Sequence, residues 1–315
     1  IASLVGTKTV LDPADAAMIK GFLVNLFRGE PRLFDDGASA IERMTGWRNI
    51  GLVPWLPAAR KLPAEDAIRN DKDTDTDQQT VTIALPVLPH TANFDDFDAL
   101  SAEMSVELVY VYPGAPIPAR AKMVILPGSK TTISDLAFFR QQGWDIDLKA
   151  HIRRGGYVLG ICGGYQMMGQ TIEDPMGIEG EKKTTPGLGL LPIHTTLDDD
   201  KRITDVNGMS LPDEIPFAGY EIHCGKTRLE ENAHPLLRRT DGSLDGCSSP
   251  DGRIAGCYIH RLFDHPAQRA KWLEILQAPS DGAWQGQRVE DALDQVAQEL
   301  EECLDLDAVM DIARL

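Results

Sequence analysis

The chain is short of cysteine, of basic residues and of long apolar runs, and each shortage excludes something. Its 315 residues hold five cysteines, Cys162, Cys224, Cys247, Cys257 and Cys303, with no Cys-x-x-Cys pair among them. An odd, scattered set in a chain of this size is not a disulfide framework, and a reducing cytoplasm is the expected setting. Apolar residues never run to the roughly 18 needed to cross a bilayer, and no basic-then-apolar leader opens the chain, so neither a membrane span nor a secretion signal is expected. Lys and Arg number 31 against 48 Asp and Glu, a formal net charge of −17. Such a surface repels a phosphate backbone, so a nucleic-acid partner is not expected. An initiating methionine is also missing: the chain opens Ile1-Ala2-Ser3-Leu4 in helix-like sequence, as a fragment, a processed chain or a mis-assigned start would.

What is present is an ordinary globular composition, 43% hydrophobic and 25% charged, long enough for two cores. Residues 1–62 have the strand and helix signals of the tail of an α/β unit. Asp12-Pro13 marks a helix start, Gly21 to Asn25 a strand, 36–45 a helix, and Ile50 to Val53 a strand stopped by Pro54. Residues 63–80 turn polar, with Asp71, Asp73, Asp75 and Asp77 at alternate positions, and form an acidic linker. These aspartates lack the glycine turn and closing glutamate of a calcium loop, and no metal site is expected. From Val81 to 278 a second domain alternates strands (81–88, 106–112, 122–126, 157–161) with helices (95–104, 131–142, 145–153), the order of a doubly wound α/β sheet. Strand-and-turn signals follow over 187–260. Residues 279–315 form a helical extension whose stripe is Val289, Leu293, Val296, Leu300 and Leu304.

The sharpest local signal is Tyr157-Val158-Leu159-Gly160-Ile161-Cys162-Gly163-Gly164-Tyr165-Gln166. An apolar strand runs into a cysteine, and a glycine-opened helix follows. That turn lifts a sulfur above the sheet's carboxyl edge, and the helix start favours its thiolate. The backbone N–H of Gly163 is placed to stabilise an oxyanion. The turn Leu126-Pro127-Gly128-Ser129-Lys130 offers a second donor at Gly128. It is not a phosphate loop, because the Gly-x-x-x-x-Gly-Lys-Ser/Thr spacing is absent. A base for Cys162 must be a histidine, and two stand out: His260 after a strand-like run, and His223 within Gly219 to Gly225. His260 is preferred.

Together these segments resemble the class I glutamine amidotransferases, and within them the cobyric acid synthase family. The resemblance is carried by an ordered set: NFDDFDAL (Asn93 to Leu100), LPGSKTT (Leu126 to Thr132), GICGGYQMMG (Gly160 to Gly169), GLGLL (Gly187 to Leu191), GYEIHCGKT (Gly219 to Thr227) and YIHRLFD (Tyr258 to Asp264). Residues 15–57 resemble the end of that family's dethiobiotin-synthetase-like, P-loop ATP-binding domain, so 1–62 is expected to be its C-terminal remnant. The resemblance implies that Cys162 attacks the side-chain amide of L-glutamine, that His260 moves the protons and that Gln166 helps hold the substrate. It also implies that the released ammonia amidates a corrinoid, adenosylcobyrinic acid a,c-diamide, to cobyric acid. ATP and magnesium serve the full-length enzyme. Asn25 matches an adenine-contacting asparagine, yet the phosphate loop and magnesium acids have no counterpart here, so the fragment is expected to bind no cofactor and to act as a glutaminase only. An ATP-binding half would come from upstream or from another chain.

Two positions depart from the family's pattern. The usual His-x-Glu ending is absent, since Leu262 stands two after His260, leaving Glu221 and Asp264 as candidates for the acid that orients the base. Arg261 replaces the usual glycine beside His260. The alternatives are a cobyrinic acid a,c-diamide synthase, a related glutaminase such as the one amidating peptidoglycan lipid precursors, and a non-catalytic remnant.

Overall fold

The computed structural model describes residues 1–62, 80–199 and 202–314. The acidic run from Asp71 to Asp77 lies outside these residues. The chain divides into two compact units, one made of Ile1–Pro63 with Gly286–Leu315 and the other of Ala64–Gln285.

In the first unit, Pro13 opens the helix Pro13–Met18, where its fixed φ and missing N–H cost nothing. The strand Gly21–Phe27 runs parallel to Arg48–Pro54. Between them the helix Asp35–Thr45 stops at Gly46, whose φ of 69° closes a left-handed cap. Phe22, Ile41 and Trp47 make a small core. The C-terminal stripe is a helix, Gln285–Cys303, followed by Leu306–Ala313. Leu304 falls just beyond the first of these and bridges Gly51, while Asp305 N–H donates to the Ile50 carbonyl at 2.7 Å. What the sequence marks as a separate extension thus packs with residues 1–63.

The second unit is built on a six-stranded sheet. Its strands Val81–Pro86, Val106–Val111, Met123–Leu126, Tyr157–Ile161 and Ile254–Cys257 are parallel, with the short Cys247–Ser248 antiparallel at one edge. Counted along the chain, the parallel strands take the order 2-1-3-4-5, so the order reverses beside Val81–Pro86. In such sheets ligands bind outside the carboxyl ends of the strands at that reversal. All six residues of Val81–Pro86 are buried, as expected of a strand covered on both faces. The helices Thr132–Gln141 and Trp144–Arg153 fall where the sequence places them. The expected helix at 95–104 is instead a 3₁₀ turn, Phe94–Phe97, and a single α-turn, Asp98–Ser101. Asn93 enters it in the left-handed region, and Asp96 turns inward to partners described below. Gly187 to Leu191 is not a strand: the N–H groups of residues 187–191 donate to carbonyls of Met167, Met168, Gly169 and Gln170.

A five-stranded antiparallel sheet carries Pro216–His223 next to the two-residue strand Ile259–His260, with Tyr220 opposite His260. This pairing brings a histidine late in the sequence to the edge where the central strands end.

Gly164 shows how tightly the second unit is packed. A Cβ there would lie 2.1 Å from the Leu126 carbonyl oxygen, and backbone cannot yield as a flexible side chain would. Gly164→Ala is expected to cost about 2–3 kcal/mol by overpacking. Thermal denaturation should register this as a Tm lower by roughly 5–10 °C.

Candidate active site

Cys162 ends the strand Tyr157–Ile161 and caps the helix Gly163–Met167 with φ 51° and ψ −110°, a conformation that only strain-tolerant positions adopt. The turn is pinned on both sides. Cys162 N–H donates to the Cys257 carbonyl at 2.9 Å, and its own carbonyl accepts from Gln166 N–H at 3.1 Å. The side chain is 6% exposed, with Sγ 3.4 Å from the Ile222 carbonyl oxygen.

His260 is fully buried and lies beside Cys162. Gly128 separates them only narrowly: a Cβ added there would sit 3.2 Å from His260 Cε1 and 3.8 Å from Cys162 Cβ. On the other side, His260 Nδ1 lies 2.7 Å from Asp96 Oδ2, and Asp96 Oδ1 accepts the Arg261 N–H at 2.8 Å. With Nδ1 taken by the carboxylate, Nε2 is the nitrogen left for sulfur. Tyr220 stacks on the imidazole at 5.1 Å, and Asn93 Nδ2 stands 3.2 and 3.3 Å from its two nitrogens. Burial pulls the pKa of His260 down, but the charge and hydrogen bond of Asp96, with Cys162 adding to them, push it up to about 10. His260 therefore rests as an imidazolium against the Asp96 side chain.

The carboxylate that lies against His260 is that of Asp96, and neither Glu221 nor Asp264, the acids expected there, occupies that place. Glu221 is consumed by Arg239, whose guanidinium donates to it at 2.6 and 3.1 Å, and by His223 at 3.3 Å. Burial works to raise the pKa of Glu221, yet Arg239 holds it low. Asp264 lies 4.0 Å from the Arg261 guanidinium, and burial pushes its pKa up to about 7. Asp96 belongs to the NFDDFDAL segment, so the motif was visible, but nothing in its local pattern tells which of its three aspartates turns inward. His223, the rival base, stacks on Tyr258 at 3.8 Å and bonds to Glu221 and the Gly225 carbonyl.

The remaining residues fall around the sulfur. A Cβ on Gly163 would approach Ser129 N to 2.8 Å, so the turn after Leu126 packs directly on the Cys162 turn. Gln166 is 3% exposed. Its Oε1 accepts from Thr132 Oγ1 at 2.9 Å, and its Nε2 donates to the Cys224 carbonyl and Tyr258 Oη, both at 3.1 Å. Its amide is thus a buried brace between three segments. Arg261 takes a left-handed φ of 59°, and its guanidinium pairs with Asp95 at 3.2 Å and lies 5.8 Å over the Tyr220 ring. Asn25, in the first unit, is exposed and its Oδ1 accepts the Leu26 N–H at 2.8 Å. This residue and a chain without a phosphate loop do not fit a triphosphate on their own. Among the described residues no three His, Cys, Asp or Glu side chains gather as a metal site requires, and no helix is long and apolar enough to cross a membrane.

A strained cysteine at a strand-to-helix turn, a buried histidine and a carboxylate behind it are the groups that a thiol-dependent acyl-transfer enzyme requires. A CobB/CobQ-like glutamine amidotransferase domain is matched over residues 82–268, and the chain belongs to that family of enzymes. It is 55% identical to the cobyric acid synthase of Methylobacterium nodulans, over 99% of this chain and 64% of that protein. The corresponding protein of Methylorubrum populi is 51% identical, over 100% of this chain and 64% of its own length. That of Rhodobacter capsulatus is also 51% identical, over 100% and 65%. The chain thus spans less than two thirds of the length of these relatives.

Proposed function

We propose that this chain carries the glutamine-hydrolysing step of corrinoid amidation in cobalamin biosynthesis. The observation that carries the reading is the Cys162–His260–Asp96 chain at the carboxyl edge of the sheet. Cys162 thiolate attacks the side-chain carbonyl carbon of L-glutamine, forming a C–S bond and a tetrahedral oxyanion. The N–H groups of Gly163 and Gly128 receive that oxyanion. As the C–N bond breaks, His260 Nε2 gives its proton to the leaving nitrogen, and ammonia departs from a thioester. Water then attacks, His260 takes its proton, and the sulfur leaves as thiolate with glutamate as product. Gln166 contributes by bracing the pocket wall, and a reducing cytoplasm keeps Cys162 a thiol.

The ammonia is destined for peripheral carboxylates of adenosylcobyrinic acid a,c-diamide, giving cobyric acid. The names of the relatives, at 51–55% identity across the chain, support that corrinoid assignment. Residues 1–62 are read as the remnant of an ATP-binding domain with Asn25 as an adenine contact, and no step of the ATP-dependent amidation is assigned to residues of this chain.

The test is a paired assay with a full-length relative. This chain should release ammonia from glutamine but leave the corrinoid unamidated in the presence of ATP and magnesium. Corrinoid amidation at the relative's rate would refute the division of labour, and absence of ammonia release would refute the glutaminase reading.

A further inference from the structure

We infer that Asp135 is a positioning residue that sets the oxyanion-binding turn, an inference that rests on the glutaminase reading. Asp135 lies in the first turn of the helix Thr132–Gln141 and is fully buried. A carboxylate there would ordinarily serve its own helix by accepting free N–H groups. Here that duty is done from elsewhere: Glu179, 47 and 46 positions away, accepts the Thr132 and Ile133 N–H groups at 2.8 and 2.7 Å.

The Asp135 carboxylate turns instead to two loops. Its Oδ2 accepts from Ser129 Oγ at 2.7 Å and from His90 N–H at 3.3 Å, and its Oδ1 lies 2.9 Å from His90 Nδ1. Ser129 Oγ in turn accepts the Thr131 N–H at 3.1 Å, and Lys130 N–H donates to the His90 carbonyl at 3.0 Å. One buried charge therefore ties the turn Gly128–Ser129 to the segment Thr91–Ala92, which pairs with it antiparallel.

Both tied elements border the reacting groups. Gly128 abuts His260 and Cys162, Ser129 N abuts Gly163, and Asn93 follows directly on Thr91–Ala92. Asp135 touches neither sulfur nor imidazole, so its influence on the chemistry runs through where the Gly128 backbone stands. A donor misplaced by a fraction of an ångström loses its grip on a transition-state oxyanion while substrate binding barely changes.

This separates two measurable rates. Hydrolysis of glutamine needs the oxyanion donors, whereas alkylation of Cys162 by iodoacetamide needs only the Cys162–His260 pair. Asp135→Asn is expected to lower kcat on the order of 10–100-fold. The KM for glutamine and the alkylation rate should stay within about twofold, because the Cys162–His260 pair and the pocket are untouched. Ser129→Ala, a milder change in a half-buried hydroxyl, should give a severalfold fall in kcat with the same unchanged alkylation, and carries the test if Asp135→Asn does not fold. An unchanged kcat in Ser129→Ala or in folded Asp135→Asn overturns the inference. So does a parallel loss of hydrolysis and alkylation, which would place the effect on the nucleophile pair. If the wild-type chain releases no ammonia while its Cys162 alkylates normally, the glutaminase reading falls, and this inference with it.

Discussion

Cys162→Ala is expected to reduce ammonia release from glutamine on the order of 10⁴–10⁶-fold, because every later bond in the reaction starts from the C–S bond. The substitution deletes one atom from a side chain that is 6% exposed, and its backbone strain is unchanged since alanine also carries a Cβ. The fold should therefore survive, with Tm within a few degrees of wild type. Binding and the oxyanion donors remain, so a small residual rate over water is allowed. Ammonia assay of the two proteins side by side decides the matter. Comparable release from both would remove the enzyme reading, leaving the family membership as ancestry.

Asp96→Asn is expected to lower kcat by about 10²–10⁴-fold, the scale seen when the acid behind a catalytic imidazole loses its charge. Two causes combine. The amide can present an N–H to Nδ1, which turns the imidazole to the tautomer with its proton on the wrong nitrogen. It also removes the charge that opposes the burial of His260 and holds its pKa at about 10. In the variant, His260 should titrate well below that value, visible in the pH dependence of Cys162 alkylation. Asp264→Asn, beyond Arg261, should leave both readouts near wild type. Equal loss in the two variants would return the orienting role to the other acids.

The same pair makes stability depend on pH. The folded-state pKa of His260 lies above its ordinary value of 6.5, so its stabilising contribution is complete below about 6.5 and is lost as pH rises through about 10. Wild type should therefore lose Tm between those limits, and Asp96→Asn should lose less.

Local sequence was enough to place the sheet and the turn that carries Cys162. The strand at Val81–Pro86 is an apolar run broken only by Thr82, and the glycine-flanked Cys162 turn has a spacing that suits a strand-to-helix elbow. The acid that lies against His260 was not legible in the same way. Asp96 lies 164 positions from His260, and Asp95, Asp96 and Asp98 are chemically equal until the 3₁₀ turn aims one of them inward. Glu221 and Asp264 were closer to the histidines in sequence or in motif, but Arg239 had already claimed the first.

What the sequence alone determined is the kind of chemistry: a thiol at a tight turn on an α/β sheet, in a chain whose ordered motifs belong to glutamine amidotransferases. Short-range order dictates such features, since the period of apolar residues and the needs of a turn are written within a few residues. Only the tertiary structure decided which acid stands behind His260, that the amide of Gln166 is spent as a brace, and that Asp135 serves two loops rather than its own helix. Those outcomes depend on competition between partners distant along the chain. A buried carboxylate goes to the donor the fold brings to it, and the strand pairing that delivers His260 opposite Tyr220 is settled by the whole sheet.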